Sequence, residues 1–510
     1  MSERSSIERV DVTLTAASVA RAATPVPEAR TAPRARPDPN TPFRILCLGD
    51  FSARSSGDVI TLDRDDLDAA LAKLRPELRL DAPIDVTLGV TSLEDFHPDR
   101  LFDRLDVFQA FRTVRRRLHD PEGFRAAAAE VRRWTGGKAP VARPVAERSG
   151  AEGGLSEGQA VVRDLLAGGG RRAREAAGGD DWAAFLKHLV APHVVAREDP
   201  QRPELVAAVD RATADVMRRV LHHPRFQAME AAWRAIDFLA RRLETGTELK
   251  LVLLDVPKAD LAAALDGRDP ARARMLRRVL IEDAAGSPGG VPWALLAGNY
   301  TFDASAEDVA LLTAIARLAR EADAPFIAAA SPRLLGADSL AATPDPDDWR
   351  RVDSADAERW HKLRTSLDAA WLGLALPRFL LRLPYGREGE RLEAFEFEEQ
   401  SPGAPHDEYL WGNPAFACVC VLGQAFSEDG WGFQAGAAEL DDLPLYVEEK
   451  DGERRVKPCA EALLTLRAAE IVLERGFMPL LSFRDRDVVR LADVRSVCEP
   501  VAGLRGRWSG

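Results

Sequence analysis

Between residues 248 and 331 the chain carries three nearly uninterrupted apolar runs, ELKLVLLDV, WALLAGNYTF and APFIAAAS. A strand exposed on one face alternates apolar with polar residues, whereas a strand buried on both faces does not. These runs therefore require a sheet covered by helices on each side. The intervening text supplies them. Ser305 followed by Glu307 and Asp308 makes a capping-box-like start to an amphipathic helix between the last two runs. Upstream, Leu205, Val209, Val216 and Val220 line one helix, and Met229, Trp233, Ile236, Leu239 and Leu243 line the next. Residues 371–510 mix short strands with Gly/Pro-rich loops, and AFACVCVLGQAF reads as a buried strand.

At 510 residues the chain exceeds one ordinary core. The fold class is α/β and multi-domain, a small α/β unit followed by a large mixed-sheet α/β domain. Residues 1–42, rich in Ala, Arg, Pro, Thr and Ser, read as a disordered arm. Within it Val10, Val12 and Leu14 alternate with Asp11 and Thr13, either a strand donated to a sheet edge of another subunit or a chance alternation in a tail. Residues 43–118 read as the small unit. It opens on the strand FRILCLGDFS, continues through the helix DRDDLDAALAKL and the strand IDVTLGV, and ends in a helix from Pro98 through Leu118. Residues 119–192 are linker with short helices, and residues 193–510 form the large domain.

A net charge of −12, from 81 acidic and 69 basic residues, does not favour a general nucleic-acid binder. The cluster Arg115, Arg116 and Arg117 closes a helix, where cations complement the carbonyl end of the dipole. No apolar run approaches the ~20 residues that span a bilayer, and the first residues lack a secretory signal's apolar core. A cytoplasmic protein without membrane insertion is the expectation. Five cysteines, an odd number in mostly apolar text, argue against a disulfide framework, and Cys418 and Cys420 have no second pair at zinc spacing.

The phosphate-loop, zincin, nucleophile-elbow and dinucleotide signatures are absent. His222 and His223, before Pro224, read as a helix stop whose imidazoles bond the terminal carbonyls. His406, Asp407 and Glu408 carry the elements of acid–base chemistry but sit in what reads as a packed turn without a nucleophile. The acidic pairs Asp65–Asp66 and Glu398–Glu399 read as solvated faces or contacts to basic partners. No catalytic residue, cofactor or metal is assigned, and the residues alone describe a large non-catalytic α/β protein.

Two stretches carry a family resemblance. TLDRDDLDAALAKLRPELRL with SLEDFHPDRLFDRLDVFQAFRTVRRRL, in residues 61–118, is similar to the small sheath subunit of type VI secretion systems. LHHPRFQAMEAAWRAIDFLARRLE, ELKLVLLDV, LGLALPRFLLRLPYG, HDEYLWGNPAFA and RAAEIVLERGFMPLL, within residues 203–510, resemble the large sheath subunit. The resemblance implies a structural protein in which both subunits are fused. It further implies self-association into a helical contractile sheath around inner-tube hexamers, contacts with baseplate proteins, and recycling by an AAA+ unfoldase. The family's unfoldase recognises a helix whose local counterpart is residues 160–166, with Val161, Val162, Leu165 and Leu166 as its apolar positions. Against the family pattern both ends read as shortened. A variant sheath, a non-polymerising baseplate or adaptor component, and a metal-dependent hydrolase using His222, His223 and His406 stand as alternatives.

Overall fold

The computed structural model describes residues 37–81, 85–120, 123–134, 202–286, 290–350, 354–401, 405–450 and 453–509. Its strands are β1 (Phe43–Gly49), β2 (Val59–Leu62), β3 (Glu77–Leu80), β4 (Val86–Gly89), β5 (Leu249–Asp255), β6 (Leu295–Phe302), β7 (Phe326–Ala330) and β8 (Leu372–Leu376). They continue with β9 (Phe379–Leu380), β10 (Trp411–Gly412), β11 (Ala438–Leu440), β12 (Tyr446–Lys450), β13 (Glu453–Lys457), β14 (Met478–Ser482) and β15 (Val489–Leu491).

Nine of these form one mixed sheet in the order β11-β15-β14-β8-β7-β6-β1-β5-β2. The middle, from β5 through β14, is parallel, and antiparallel strands close it at both ends. The three apolar runs become β5, β6 and β7, and alternate side chains feed separate cores on the two faces. Phe43, Ile45, Cys47, Leu251 and Leu253 enter one core with the helices Asp106–His119, Arg202–Leu221 and Pro224–Arg242. Leu46, Leu48, Val252 and Leu254 enter the other with the helices Lys258–Leu265 and Ala306–Ala322. Among the described residues no helix is long and apolar enough to cross a membrane.

The N-terminal segment does not close a sheet of its own. Its lead strand β1 lies between β5 and β6, paired in parallel over seven residues with β5 and four with β6. β2 follows as the edge beyond β5, while β3 and β4 form a separate hairpin. The helix expected to run from Pro98 through Leu118 is interrupted. Leu105 is extended, at φ −85° and ψ 126°, and divides Pro98–Arg104 from Asp106–His119.

AFACVCVLGQAF is not a strand but most of the helix Pro414–Asp429. Pro414 occupies its first turn, and the Asn413 side chain accepts the Ala415 N–H at 3.0 Å. Every residue from Pro414 through Gly423 is buried, between the sheet and Pro224–Arg242. A helix apolar all round loses the amphipathic signature that would have distinguished it from a strand.

Trp233, fully buried, donates its indole N–H to the Phe51 carbonyl at 2.9 Å, tying the second segment to the loop after β1. Trp233→Phe leaves that carbonyl unpaired and should lower stability by about 1–3 kcal/mol, read as a lower thermal or urea midpoint.

Candidate functional site

Two buried polar junctions organise the interior, and the first of them joins the N-terminal segment to the rest. The first sits at the carboxyl ends of β1 and β5. Asp255 is fully buried, and its carboxylate accepts from the Phe51 and Ser52 amides at 2.8 and 3.1 Å and from the Ser52 hydroxyl at 2.6 Å. The Ser56 amide and hydroxyl add bonds at 2.7 and 2.8 Å. One carboxylate thus gathers the whole turn between β1 and β2, in which Gly57 takes a left-handed φ of 71°.

The second junction centres on Arg382, 8% exposed, between Glu230 and Glu399, at 0% and 1%. Arg382 Nε and Nη2 reach the two Glu230 oxygens at 2.8 and 3.2 Å, and Nη1 and Nη2 reach those of Glu399 at 2.7 and 3.1 Å. Arg234 Nε donates to Glu230 at 2.7 Å, and its Nη2 donates to the Tyr385 hydroxyl at 3.0 Å. The Tyr385 amide completes the set with a 2.7 Å bond to Glu399. Burial alone would raise the Glu399 pKa, but Arg382, a contact with His222 and the Tyr385 amide outweigh it and hold the group at about 2. Burial likewise opposes the Arg382 charge, and the carboxylates of Glu230 and Glu399 reverse this to a pKa well above the ordinary value.

From there the irregular segment 383–399 crosses to the N-terminal helices. The Asp99 carboxylate accepts the Glu393 and Ala394 amides at 3.0 and 3.1 Å, His97 Nε2 lies 3.3 Å from Glu390, and Phe395 packs on Phe102 at 4.9 Å. The segment is therefore a strap gripped by the Arg382 junction at one end and by the helix Pro98–Arg104 along its length. The charges at this junction are mutually satisfied and no nucleophile stands among them. Its chemistry is that of a clamp.

The histidines singled out in the sequence are drawn to different places. His223 does not bond the preceding helix's carbonyls; it caps the next helix, with Nδ1 accepting the Arg225 N–H at 3.2 Å. Burial pulls its pKa down, and the nearby Arg225 adds to the fall while Asp81 opposes it. His222 instead lies 3.5 Å from Glu399 and 3.4 Å from Glu408. His406 accepts from Lys457 at 2.7 Å and stacks on Trp411 at 4.9 Å, with burial and then Lys457 lowering its pKa. Asp407 pairs with Arg378 at 2.8 Å, so His406, Asp407 and Glu408 share no common target. Glu399 is also not a solvated acid. Its neighbour Glu398 is half exposed, while Glu399 is interior.

Arg115 pairs with Asp210 and Arg117 with Glu130, each at 2.6 Å, so both cations serve contacts between helices. The buried Cys418 and Cys420 thiols are pushed up to about 12 by desolvation. Among the described residues no group of three or more His, Cys, Asp or Glu is placed to hold a metal. The assembly candidates Val10, Val12 and Leu14 and the recognition candidates Val161, Val162, Leu165 and Leu166 lie outside the described residues.

Sequence reasoning missed Glu230, Arg382 and Asp255. Their one legible signal is a lone charge within apolar text, as in AMEAAW, FLLRLPYG and LVLLDV.

The three junction residues Glu230, Arg382 and Glu399, with strands β5 through β15, fall within residues 203–498, which match the family model described as VipB: EvpB/VC_A0108, tail sheath N-terminal domain. The chain is also similar to the type VI secretion system sheath protein TssC1 of Pseudomonas aeruginosa, with 33% identity over 306 residues covering 58% of this chain. That match spans 61% of the relative's own length. With a match that extends over strands β5 through β15, the helices among them and the buried clamp, the chain belongs to the tail sheath family, a family of structural proteins rather than enzymes.

Proposed function

We propose that this protein is a subunit of a contractile, type VI-like sheath that polymerises helically around an inner tube and contracts to propel it. In this reading segments equivalent to the small and large sheath subunits, residues 43–118 and 193–510, are joined in one chain. The observation that carries the reading is β1. A strand from the segment resembling the small subunit is the central neighbour of β5 and β6 in the segment matching the sheath family. Such an arrangement suits a load-bearing unit, because force applied to either segment is resisted by a continuous ladder of hydrogen bonds. The Asp255 junction and the Asp99 bonds to the Glu393 and Ala394 amides add side-chain ties across the same seam.

A helical tube needs heterologous, non-closing contacts, so each copy must present two complementary surfaces. The outer sides of β2 and β11 carry no further strand among the described residues. An extended arm from a neighbour adds most readily to such an edge, and Val10, Val12 and Leu14 supply the alternation it needs. A small free-energy difference per subunit, summed along a tube, then performs work, and the extended form persists through a kinetic barrier. Inner-tube rings, baseplate proteins and a recycling AAA+ unfoldase are the partners this role requires, and a cytoplasmic location accords with it.

Concentrated full-length protein, alone or with its inner-tube partner, should give tubes or stacked rings by negative-stain electron microscopy. Deleting residues 1–20 should reduce tube length and number while leaving the melting profile of the subunit unchanged. A protein that stays monodisperse in every condition, with and without the inner tube, sinks the sheath assignment. Unaltered tubes after the deletion sink only the donated strand.

A further inference from the structure

On the sheet face opposite the N-terminal helices, β1 and β5 place two cations directly opposite each other. Arg44 and Lys250 are register partners, so their side chains emerge on the same side of neighbouring strands. Like charges in that position repel, whereas an opposite charge there would stabilise the pair. Both residues are only partly exposed. They line a cleft of about 250 Å³ with Thr61, Asp283 and Val291.

Arg44 is held rigidly. Its guanidinium stacks 3.8 Å from the Trp293 ring centroid and donates to the Val291 carbonyl. Neither contact neutralises it, and burial without a carboxylate partner lowers its pKa. The Lys250 ammonium makes no hydrogen bond or ion pair among the described residues. The one acid on the cleft wall, Asp283, is engaged at 3.1 Å by Arg278, which is itself largely exposed.

We infer that the Arg44–Lys250 cleft is an oxyanion-binding site, built to take a carboxylate or phosphate group between the two cations, with the Thr61 hydroxyl at its rim. A planar guanidinium locked by stacking offers two parallel N–H donors, and the flexible ammonium beside it closes on the second oxygen. The sheath role is not needed for this site, which depends only on the pairing of β1 with β5.

The test uses the full chain and inorganic phosphate as the probe, with urea unfolding midpoints measured against chloride at equal ionic strength. Phosphate should raise the midpoint saturably, and Lys250→Gln should shift the half-effect concentration at least ten-fold higher. Lys250→Glu, which supplies a carboxylate beside Arg44 in the chain itself, should raise the midpoint in chloride and abolish the phosphate response. An equal phosphate response in wild type and Lys250→Gln, or a lower midpoint for Lys250→Glu in chloride, overturns the site. The source of the natural anion separates by sedimentation. A carboxylate from a second copy makes phosphate and Lys250→Gln both dissociate the copies, whereas a free oxyanion leaves the oligomeric state the same in both salts.

Discussion

Arg382→Met will cost about 3–5 kcal/mol of stability at neutral pH, because it leaves two carboxylates, Glu230 and Glu399, buried and facing each other. Methionine fills a comparable volume, so the loss reports charge rather than a cavity. The deficit should change with pH in a defined direction. In the wild type Glu399 is held at about 2, below the ~4.3 of an unfolded glutamate. Its contribution is therefore complete above pH 4 to 5 and drains away as pH falls toward 2, where the native state must also take up a proton. In Arg382→Met burial acts on the two carboxylates with their shared counter-charge gone, so protonation relieves the variant. The difference between the two proteins should shrink on acidification, measured as urea midpoints from pH 7 to pH 4. Replacing all three groups, as Glu230→Gln, Arg382→Met and Glu399→Gln together, should recover part of the loss, since both buried carboxylates are then gone and Arg234, with its side chain 22% exposed, is the one charge left in the junction. A constant difference across that range would mean that packing, not charge, is what Arg382 supplies.

The covered sheet was legible because burial on both faces leaves no room for polar alternation, and ELKLVLLDV, WALLAGNYTF and APFIAAAS became β5, β6 and β7. The same physics concealed the helix Pro414–Asp429. Total burial makes apolar helix and apolar strand text alike, and only Asn413–Pro414 marked a helix start. Strand order was not legible at all. FRILCLGDFS announces a strand, but its place between β5 and β6 depends on partners more than 200 positions away. A local pattern carries no register over that distance. The clamp escaped for a related reason. Glu399 follows Glu398 in acidic text that resembles any solvated surface, and its interior position follows only once Arg382 and Tyr385 fold over it. Lone charges such as Arg382 and Asp255 inside apolar runs were the better guide, because a buried charge without a partner is too costly to keep.

Breaking the chain after Gly150 and expressing the two pieces together should yield one tight complex, whereas residues 151–510 alone should aggregate. β1 contributes Phe43, Ile45, Leu46 and Cys47, all fully buried, and Leu48 at 3% exposure. At roughly 1.5–3 kcal/mol for each large side chain, their removal forfeits on the order of 10 kcal/mol, comparable with the whole stability of a typical domain. The loss is not only apolar. Without β1 the facing edges of β5 and β6 expose unpaired amides and carbonyls in the middle of the sheet, and such edges pair with other chains. The strap adds to the dependence, since Asp99 caps the Glu393 and Ala394 amides and Phe102 covers Phe395. The covalent link then acts chiefly through effective concentration, holding β1 at about millimolar strength beside its slot without altering the slot itself. Co-purification in a constant ratio with a single melting transition is the expected result. A soluble 151–510 piece that melts cooperatively alone would show instead that β5 and β6 can close on each other, and that β1 is an insertion into a fold complete without it.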